Sequence, residues 1–380
     1  MNLDQMDADS LLEKALRGEK LFPDEAIYLA EHADLIPLGM VANRIAAERN
    51  PGRAAGYAVS KTVQYSNVCQ PSCPFTTGNV LVDDPRAFTK SAEEIVTEVG
   101  EAVKQGATQI TLQGGHRIDL PWEYYTGLVK AVRTAYPEVQ LFAYSPTEIM
   151  VFNTLFQKKT ADLMAELQEA GMDGLLAGGA ETMTARAPEY RALLRGPWKE
   201  WIEVVHRAAD LSIPVIAPFV IGLGESTKER IGQLYRTREI QQRTKIAGKP
   251  AFARLSVFTL NVEAPEPSAD EVTYVEGERV VAESSAAPIK TTGYGYLRWL
   301  ALARILVPNI QHVQSSFVSQ GAKVAQVGLG GGADELGGTS MEYDKVDLAS
   351  GRVGAMTAPE MERLITQAGR RPELRARLSI

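Results

Sequence analysis

The sequence predicts an α/β fold in which a parallel sheet is closed into a (β/α) barrel of the TIM type. After about the first sixty residues, apolar strand-like runs alternate with helical segments roughly seven times, the order typical of helices packed on a parallel sheet. The apolar runs are nearly continuous, as in strands that helices cover on both faces. This number of repeats favours a closed barrel over an open sheet, although periodicity alone does not close it.

Residues 1–58 are predicted to form an N-terminal helical extension. Ser10 is placed to cap a first helix, and Pro23 is placed to begin a second. A third helix is expected over residues 38–48, where the Asn-Pro-Gly sequence at 50–52 ends it. The extension therefore precedes the first strand of the barrel.

Residues 59–318 are predicted to form the barrel. Ser91 and Glu94 have capping-box spacing and mark the start of its first helix. Gly106 marks the end of that helix. We expect strands at residues 63–68, 108–113, 139–144, 174–176, 213–222, 252–260 and 311–318. We expect helices at residues 91–106, 121–135, 198–209, 226–246 and 294–306, with one more that ends near residue 171.

Residues 319–380 are predicted to form a C-terminal cap and tail, with one helix over residues 359–368. The stretch GLGGGA at 328–333 fits the pattern G-x-G-x-x-A of dinucleotide-binding proteins. It lacks the surrounding βαβ unit that this motif needs, so we expect an ordinary loop there.

An acidic segment, residues 263–287, interrupts the alternation of strands and helices. It holds seven carboxylates and one arginine and follows a predicted strand. The carboxyl ends of barrel strands form the face that carries active sites. The segment is expected to be a solvated acidic flap or a small hairpin, with a functional element of that face as the alternative.

The composition is ordinary for a soluble globular enzyme, and we expect a small-molecule substrate. A net charge of -7 argues against a nucleic-acid partner, which needs a basic face. Two cysteines cannot build a disulfide framework, and the start of the chain lacks a signal peptide's features, so we expect a cytoplasmic location. The longest apolar stretch, residues 213–223, is too short to cross a bilayer and contains Pro218.

Cys69 and Cys73 are the only cysteines of the chain, and they follow the first predicted barrel strand. Taken alone, a Cys-x3-Cys pair is weak evidence, because free cysteines are often small buried apolar residues. A four-ligand zinc site is not favoured because no other cysteine or histidine lies nearby. A redox pair usually has two intervening residues rather than three.

Several further motifs, in a fixed order along the chain, help to interpret these cysteines. They are YSNVCQPSCPF (65–75), TLQGGHRIDLPWEYY (111–125), YSPTEI (144–149), AGMDGLLAGGAE (170–181) and the long tail motif at 313–346. Together they resemble the radical S-adenosylmethionine (SAM) superfamily, and within it the branch of futalosine synthases and deazaflavin cofactor synthases. The resemblance extends over nearly the whole chain, and the tail is most similar to the branch's futalosine cyclases.

The resemblance implies two cofactors, SAM and a [4Fe–4S] cluster held by three thiolates of one loop. It implies a radical ring closure on a nucleoside-like substrate in menaquinone biosynthesis by the futalosine pathway. It also implies roles for individual residues: Cys69 and Cys73 as iron ligands, Phe75 beside the cluster, Gln113, Gly114 and Gly115 at the SAM methionine group, and Ser145 and Glu181 as hydrogen-bonding partners of SAM or substrate. As residues alone, the glycine pairs also fit ordinary tight turns.

The sequence departs from the family motif at Thr76, which stands where the third cysteine belongs. A threonine hydroxyl is a hard donor with a high pKa, and it is therefore a poor ligand for an iron–sulfur cluster. His116 follows the second barrel strand and is the one histidine placed to substitute, although an ordinary histidine role is the simpler interpretation.

Three hypotheses for the function follow. The chain is a working radical SAM enzyme with a cluster completed by an unusual ligand. Alternatively, the barrel has lost its cluster and performs non-radical chemistry or binds SAM or another small ligand. In the third hypothesis it is a non-catalytic partner of an intact radical SAM paralogue. A homo-oligomer is a further possibility that the sequence leaves open.

Overall fold

The computed structural model describes residues 6–69, 79–180, 183, 198–222, 224–259, 272–275, 278–281, 291–342 and 354–375. Its helices are α1 Ala8–Leu16, α2 Pro23–His32, α3 Leu35–Arg49, α4 Ala92–Lys104, α5 Trp122–Ala135, α6 Pro146–Phe156, α7 Thr160–Ala170, α8 Trp198–Asp210, α9 Thr227–Ile246, α10 Gly293–Leu306, α11 Phe317–Gln320, α12 Ala322–Gly330 and α13 Ala358–Gln367. Its strands are β1 Ala54–Ala58, β2 Ser60–Ser66, β3 Gln109–Gly114, β4 Gln140–Ala143, β5 Val215–Ile221, β6 Phe252–Thr259, β7 Val272–Val275, β8 Glu278–Val281, β9 His312–Ser315, β10 Glu335–Gly338 and β11 Arg371–Leu374.

The strands other than β7 and β8 are parallel and build a barrel. One sheet has the order β11-β1-β10-β9-β6-β5, and a second has the order β2-β3-β4. Gly174 and Leu175 join the two sheets, because they form parallel bridges to Phe142 of β4 and Val215 of β5. The predicted strand at 174–176 is therefore reduced to these bridges, and the predicted α/β barrel is confirmed.

Backbone hydrogen bonds close the barrel on its other side. The chain beyond β10 donates from Thr339 to the carbonyl of Ala58 over 2.9 Å, and from Met341 to the carbonyl of Ser60 over 3.0 Å. The order around the barrel is thus β2, β3, β4, the 174–175 bridge, β5, β6, β9 and β10. Because all these strands are parallel, their carboxyl ends meet at one rim.

Strands β1, β10 and β11 were not expected from the sequence. The first lies in the range predicted as a helical extension, and the other two lie in the range predicted as a cap and tail. Their sequences, AAGYA, ELGG and RPEL, contain alanine, glycine and proline, which have low strand propensity. Hydrogen bonding to neighbouring strands, which sequence patterns do not show, places them in the sheet.

Two further predictions need correction. The helix expected to end near residue 171 is two helices, α6 and α7, because Gln157 has a left-handed φ of 52° that ends the first. The loop expected over 328–333 begins inside helix α12. A side chain at Gly328 would meet the Ser315 hydroxyl at 2.4 Å, so glycine lets α12 lie close against β9.

The N-terminal helices pack on the outside of the barrel helices. Helix α3 lies against α10, and α2 lies against α9 and α10. The Arg298 side chain of α10 donates a hydrogen bond of 2.9 Å to the carbonyl of Ala30 in α2. Across the described ranges, every helix is too short or too polar to cross a membrane.

Candidate functional site at the carboxyl-end rim of the barrel

Cys69 lies at the rim, directly after strand β2. Its backbone N–H donates to the carbonyl of Val80 over 3.0 Å, and the N–H of Val80 donates back to Asn67 over 3.0 Å. The cysteine is 3% exposed. The start of the loop that carries the cysteines is therefore fixed by pairing with the segment around Val80, and its first thiol is buried.

Gly115, after strand β3, lies against this cysteine. A Cβ atom on Gly115 would lie 2.0 Å from the carbonyl oxygen of Val68 and 2.9 Å from the Cβ of Cys69. The next residue, His116, donates its backbone N–H to the Cys69 sulfur over 3.4 Å. Glycine is required here because the two loops touch through their backbones. His116 is thus brought to Cys69 through its main chain, and ligation by its ring stays a prediction.

Gly114 and Gly115 use their N–H groups within the protein. That of Gly115 donates to the carbonyl of Ser66 over 3.1 Å, and that of Gly114 hydrogen-bonds to the carboxyl of Glu148. A Cβ on Gly114 would also lie 2.3 Å from the ring of Tyr65. Gly114 ends strand β3 and Gly115 follows it, so the pair is held by close packing at the end of the strand, and its contact with SAM stays a prediction.

A buried carboxyl, that of Glu148 at the start of helix α6, joins three elements of the rim. The Tyr65 hydroxyl of β2 donates to its Oε1 over 2.8 Å. The N–H and hydroxyl of Ser145 donate to its Oε2 over 2.7 Å and 2.9 Å. Burial raises the pKa of Glu148 to about 7, although the hydrogen bonds from Tyr65, Ser145 and Gly114 lower it in part. This carboxyl therefore changes its protonation near neutral pH.

Glu148 was not among the residues selected from the sequence. Ser145 was selected as a partner of SAM or substrate, and that role stays a prediction. The structure places its hydroxyl in the capping box of helix α6 with Glu148. The spacing Ser-x-x-Glu in the motif YSPTEI is a capping-box signal that points to this pair. No sequence signal shows that the glutamate is 3% exposed.

Inside the barrel lies a polar cavity of about 320 Å³. The side chain of Gln113 is exposed to it, as expected for a residue at the end of β3. The Ser256 hydroxyl donates to the Oε1 of Gln314 over 2.7 Å. The polar residues that line the cavity come from four strands, from the residue after β9 and from the segment after β10: Ser60, Thr62, Gln109, Thr111, Gln113, Arg254, Ser256, Gln314, Ser316, Ser340 and Glu342.

Several predicted site residues lie outside the described residues: Cys73, Phe75, Thr76 and Glu181. Most of the acidic segment 263–287 lies outside them as well. Strands β7 and β8 within it pair antiparallel from Val272 to Val281, which confirms the expected small hairpin.

The donor set for an iron–sulfur cluster is one thiolate short. The family's loop supplies three thiolates, and the whole chain contains two cysteines. Within the described part of the chain, no group of three or more histidine, cysteine, aspartate or glutamate side chains is arranged to hold a metal ion. These residues do not fit a three-thiolate cluster.

Comparison with known proteins agrees with the α/β barrel fold. Residues 63–237 match the model of the radical SAM superfamily, and residues 270–379 match that of the CofH/MqnC C-terminal region. Among solved structures, the hydrogenase maturase HydG has a TM-score of 0.69 at 16% identity, over 96% of this chain and 75% of that one. Methylornithine synthase (PylB) has a TM-score of 0.63 at 17% identity, over 96% and 97% of the two chains.

Curated relatives cover almost the full chain. Cyclic dehypoxanthine futalosine synthase of Halalkalibacterium halodurans is 28% identical over 97% of this chain and 94% of the relative. Aminodeoxyfutalosine synthase of Thermus thermophilus is 29% identical over 95% and 92%. A 5-amino-6-(D-ribitylamino)uracil–L-tyrosine 4-hydroxyphenyl transferase of Methanosarcina mazei is 30% identical over 97% and 93%. The parallel barrel, Cys69 at its carboxyl-end rim, the matched radical SAM model and these relatives together show that the chain belongs to the radical SAM superfamily.

Proposed function

We propose that this protein binds a nucleoside-like small molecule of the futalosine type inside the barrel, with SAM at the adjoining rim. The observation that carries the proposal is the polar cavity of about 320 Å³ inside the barrel, whose lining extends to Gln113 near the carboxyl end of β3. Ligand sites typically measure roughly 300–1,000 Å³ and hold a few well-placed polar groups. A nucleoside-like ligand offers hydroxyl and carbonyl groups that match such a lining.

The lining supplies both hydrogen-bond donors and acceptors. Gln113 and Gln314 each carry an amide with both functions, and Ser256 adds a hydroxyl. Arg254 is 7% exposed and pairs with Glu335 over 3.1 Å, and its Nε has no hydrogen-bond partner among the described residues. A carbonyl or carboxylate of a ligand is the group that this arginine is suited to bind.

The names of the curated relatives also support this class of ligand. Two of the three that are named above make futalosine derivatives, according to their names. The matched CofH/MqnC C-terminal region supports the same branch. The proposal therefore assigns the chain to the futalosine route of menaquinone biosynthesis.

The family implies SAM and a [4Fe–4S] cluster as cofactors. Because two thiolates do not fit a three-thiolate cluster, the proposed function stops at binding of SAM and the nucleoside-like ligand, without radical chemistry. Ring closure on that ligand is the second candidate, with a cluster completed by an unusual donor. The observation that favours it is the position of Cys69, whose sulfur accepts the His116 N–H and whose Cβ lies against Gly115.

One experiment separates the two candidates. The wild-type protein and a Thr76→Cys variant are reconstituted anaerobically with iron and sulfide, and both elements are then measured. We expect little iron in the wild type and about four irons per chain in the variant. A wild-type protein that binds about four irons and cleaves SAM under a reductant contradicts the first candidate and establishes the second.

Ligand binding is tested separately by titration calorimetry with S-adenosylhomocysteine and cyclic dehypoxanthine futalosine. Gln113→Leu, which keeps the side-chain size at the cavity wall, is expected to weaken binding of the futalosine compound about tenfold. Gln105→Leu is the matched control, because Gln105 is an exposed glutamine at the end of α4. Absence of binding to the wild type, or equal binding by both variants, overturns the proposed ligand site.

We further propose a cytoplasmic location, with no nucleic-acid or membrane partner. The support is the acidic net charge and the two cysteines, which suit a reducing compartment. For a protein partner we propose a second copy or an intact radical SAM paralogue. Light scattering of the purified protein and affinity purification from the native host, with the partner identified by mass spectrometry, test this.

A further inference from the structure

A second cavity lies between helices α1 and α3. The rim residues described above do not line it. Its volume is about 720 Å³, more than twice that of the barrel cavity. Apolar side chains from both helices line most of it: Leu12, Leu16, Pro37, Met40, Val41 and Ala47. Nothing in the proposed function uses this groove, which we call the α1–α3 groove.

The apolar wall of the groove has a buried floor and an exposed edge. Leu12 and Val41 are 4% and 8% exposed, whereas Leu16 and Met40 are 40% and 67% exposed. A concave apolar surface of this size with exposed edges is a typical small-molecule site. The apolar part of a ligand bound here would shield the exposed side chains Leu16 and Met40 from water.

Arg370 lies at the wall of the same groove and is 5% exposed. Its Nη2 donates to the Oδ1 of Asn43 over 2.6 Å and to the carbonyl of Leu329 over 2.8 Å. Its Nη1 is buried and has no hydrogen-bond partner among the described residues. A guanidinium that is held by neutral acceptors and keeps one free nitrogen is prepared for an anion, because a buried cation is costly unless it is paired.

Arg53 adds a second positive charge to the groove. It has a left-handed φ of 49°, a conformation that non-glycine residues seldom adopt. Burial, and then the charge of Arg53, lower the pKa of Arg370, and Asp334 offsets part of this effect. The two arginines therefore repel each other, and a bound anion between them relieves that repulsion.

The other charged residues of the lining largely have partners. Arg44 pairs with Glu48 over 3.0 Å, and Glu13 approaches Arg17 at 3.8 Å. Asp9 is exposed on helix α1. Within the described part of the chain, Arg53 and Arg370 are the lining cations without an ion pair.

We propose that the α1–α3 groove binds an apolar carboxylate, with the carboxylate at Arg53 and Arg370 and the apolar body against helices α1 and α3. The charge complementarity fixes the class of ligand, since an apolar body alone leaves the two arginines unpaired. A flat membrane surface does not match as well, because the floor formed by Leu12 and Val41 is concave and buried.

The test uses titration calorimetry on the full chain with decanoate below its micellar concentration. One saturable site is expected, and 1-decanol and acetate, which lack the charge or the chain, are expected to bind at least tenfold more weakly. Arg53→Gln is expected to weaken decanoate binding about tenfold, since a charge-assisted hydrogen bond is lost. Met40→Glu is expected to abolish it by placing a like charge on the apolar wall.

Ile36→Glu is the matched control. Ile36 is 76% exposed on the same helix and does not line the groove, so this variant is expected to bind decanoate as the wild type does. Thermal unfolding of each variant shows that it remains folded. Absence of saturable decanoate binding to the wild type overturns the proposal, and so does binding by Arg53→Gln and Met40→Glu that equals binding by the wild type. Pelleting with phosphatidylglycerol vesicles that Ile36→Glu abolishes, without decanoate binding, overturns it in favour of a membrane contact.

Discussion

The Tyr65 hydroxyl donates a hydrogen bond of 2.8 Å to the Oε1 of Glu148, and both residues are buried at the junction of β2, β3 and helix α6. The pair fixes the position of three rim elements relative to one another. It also keeps a carboxyl in a place where its ionised form is costly, which is why its pKa lies at about 7 instead of 4.5.

This pair predicts a pH dependence of stability. Because the folded protein holds the Glu148 proton more tightly than the unfolded chain does, its contribution is complete below about pH 4.5. The contribution is lost as the pH rises to about 7, by up to about 3 kcal/mol in the free energy of unfolding. Glu148→Gln removes this pH-dependent contribution to stability. The amide oxygen of the glutamine still accepts the hydrogen bond from the Tyr65 hydroxyl.

The measurement is urea unfolding of both proteins between pH 4.5 and 8. The unfolding free energy of Glu148→Gln minus that of the wild type is expected to increase as the pH rises to about 7. Above that pH the difference is expected to stay constant. Taking the difference cancels the titration of the other carboxyls. A difference that does not change with pH contradicts the assigned titration of Glu148.

Gly115→Ala is expected to destabilise the fold and disturb Cys69. The added Cβ would lie 2.0 Å from the carbonyl of Val68, a backbone atom that cannot turn away, so we expect a loss of about 2 kcal/mol or more. Gly127→Ala, within helix α5 with no atom within 4 Å of its Cβ position, is the control and is expected to stabilise by about 0.5–1 kcal/mol. Chemical unfolding measures both, and similar losses in the two variants contradict the close approach.

Alanine substitutions at Gly179 and Gly248 distinguish the steric cost of an added Cβ from the conformational cost of a left-handed backbone. Both have a positive φ, 93° and 75°, but a Cβ on Gly179 would lie 1.7 Å from the Thr147 hydroxyl oxygen, whereas the position at Gly248 is open. Gly248→Ala is expected to cost about 1–2 kcal/mol from the left-handed backbone alone. Gly179→Ala is expected to cost clearly more in thermal or chemical unfolding. An equal cost for both shows that the contact with Thr147 is not restrictive.

The buried pair Arg304 and Asp334 is expected to be essential for folding. The two side chains are 0% and 1% exposed and 2.7 Å apart, so Asp334→Asn leaves a buried cation without its counter-charge. We expect a loss of about 3–5 kcal/mol in the free energy of unfolding. The control is Arg243→Gln, which breaks an exposed pair with Glu239 and is expected to cost under about 1 kcal/mol. Comparable losses in the two variants refute the assignment.

Much of the barrel could be predicted because its elements carry local signals. The capping box Ser91–Glu94 marks the start of α4, and the apolar run at 213–222 marks β5. Strand β10 could not be predicted, since the sequence ELGG has no strand character and forms a strand only between β1 and β9. Gly174 and Leu175 lie in a predicted strand, but only the structure shows that they form the bridges to β4 and β5 that complete the barrel.

The sequence by itself determined the family, most of the barrel's strands and helices, and the number of thiolates, because these depend on residue types and their spacing along the chain. Only the tertiary structure decided which residues meet. It placed Gly115 and His116 against Cys69, buried Glu148 beneath Tyr65, and brought Arg53 and Arg370 to one groove. Burial and contact between residues distant in sequence arise from packing, and they set the pKa of Glu148 and the charge of the α1–α3 groove.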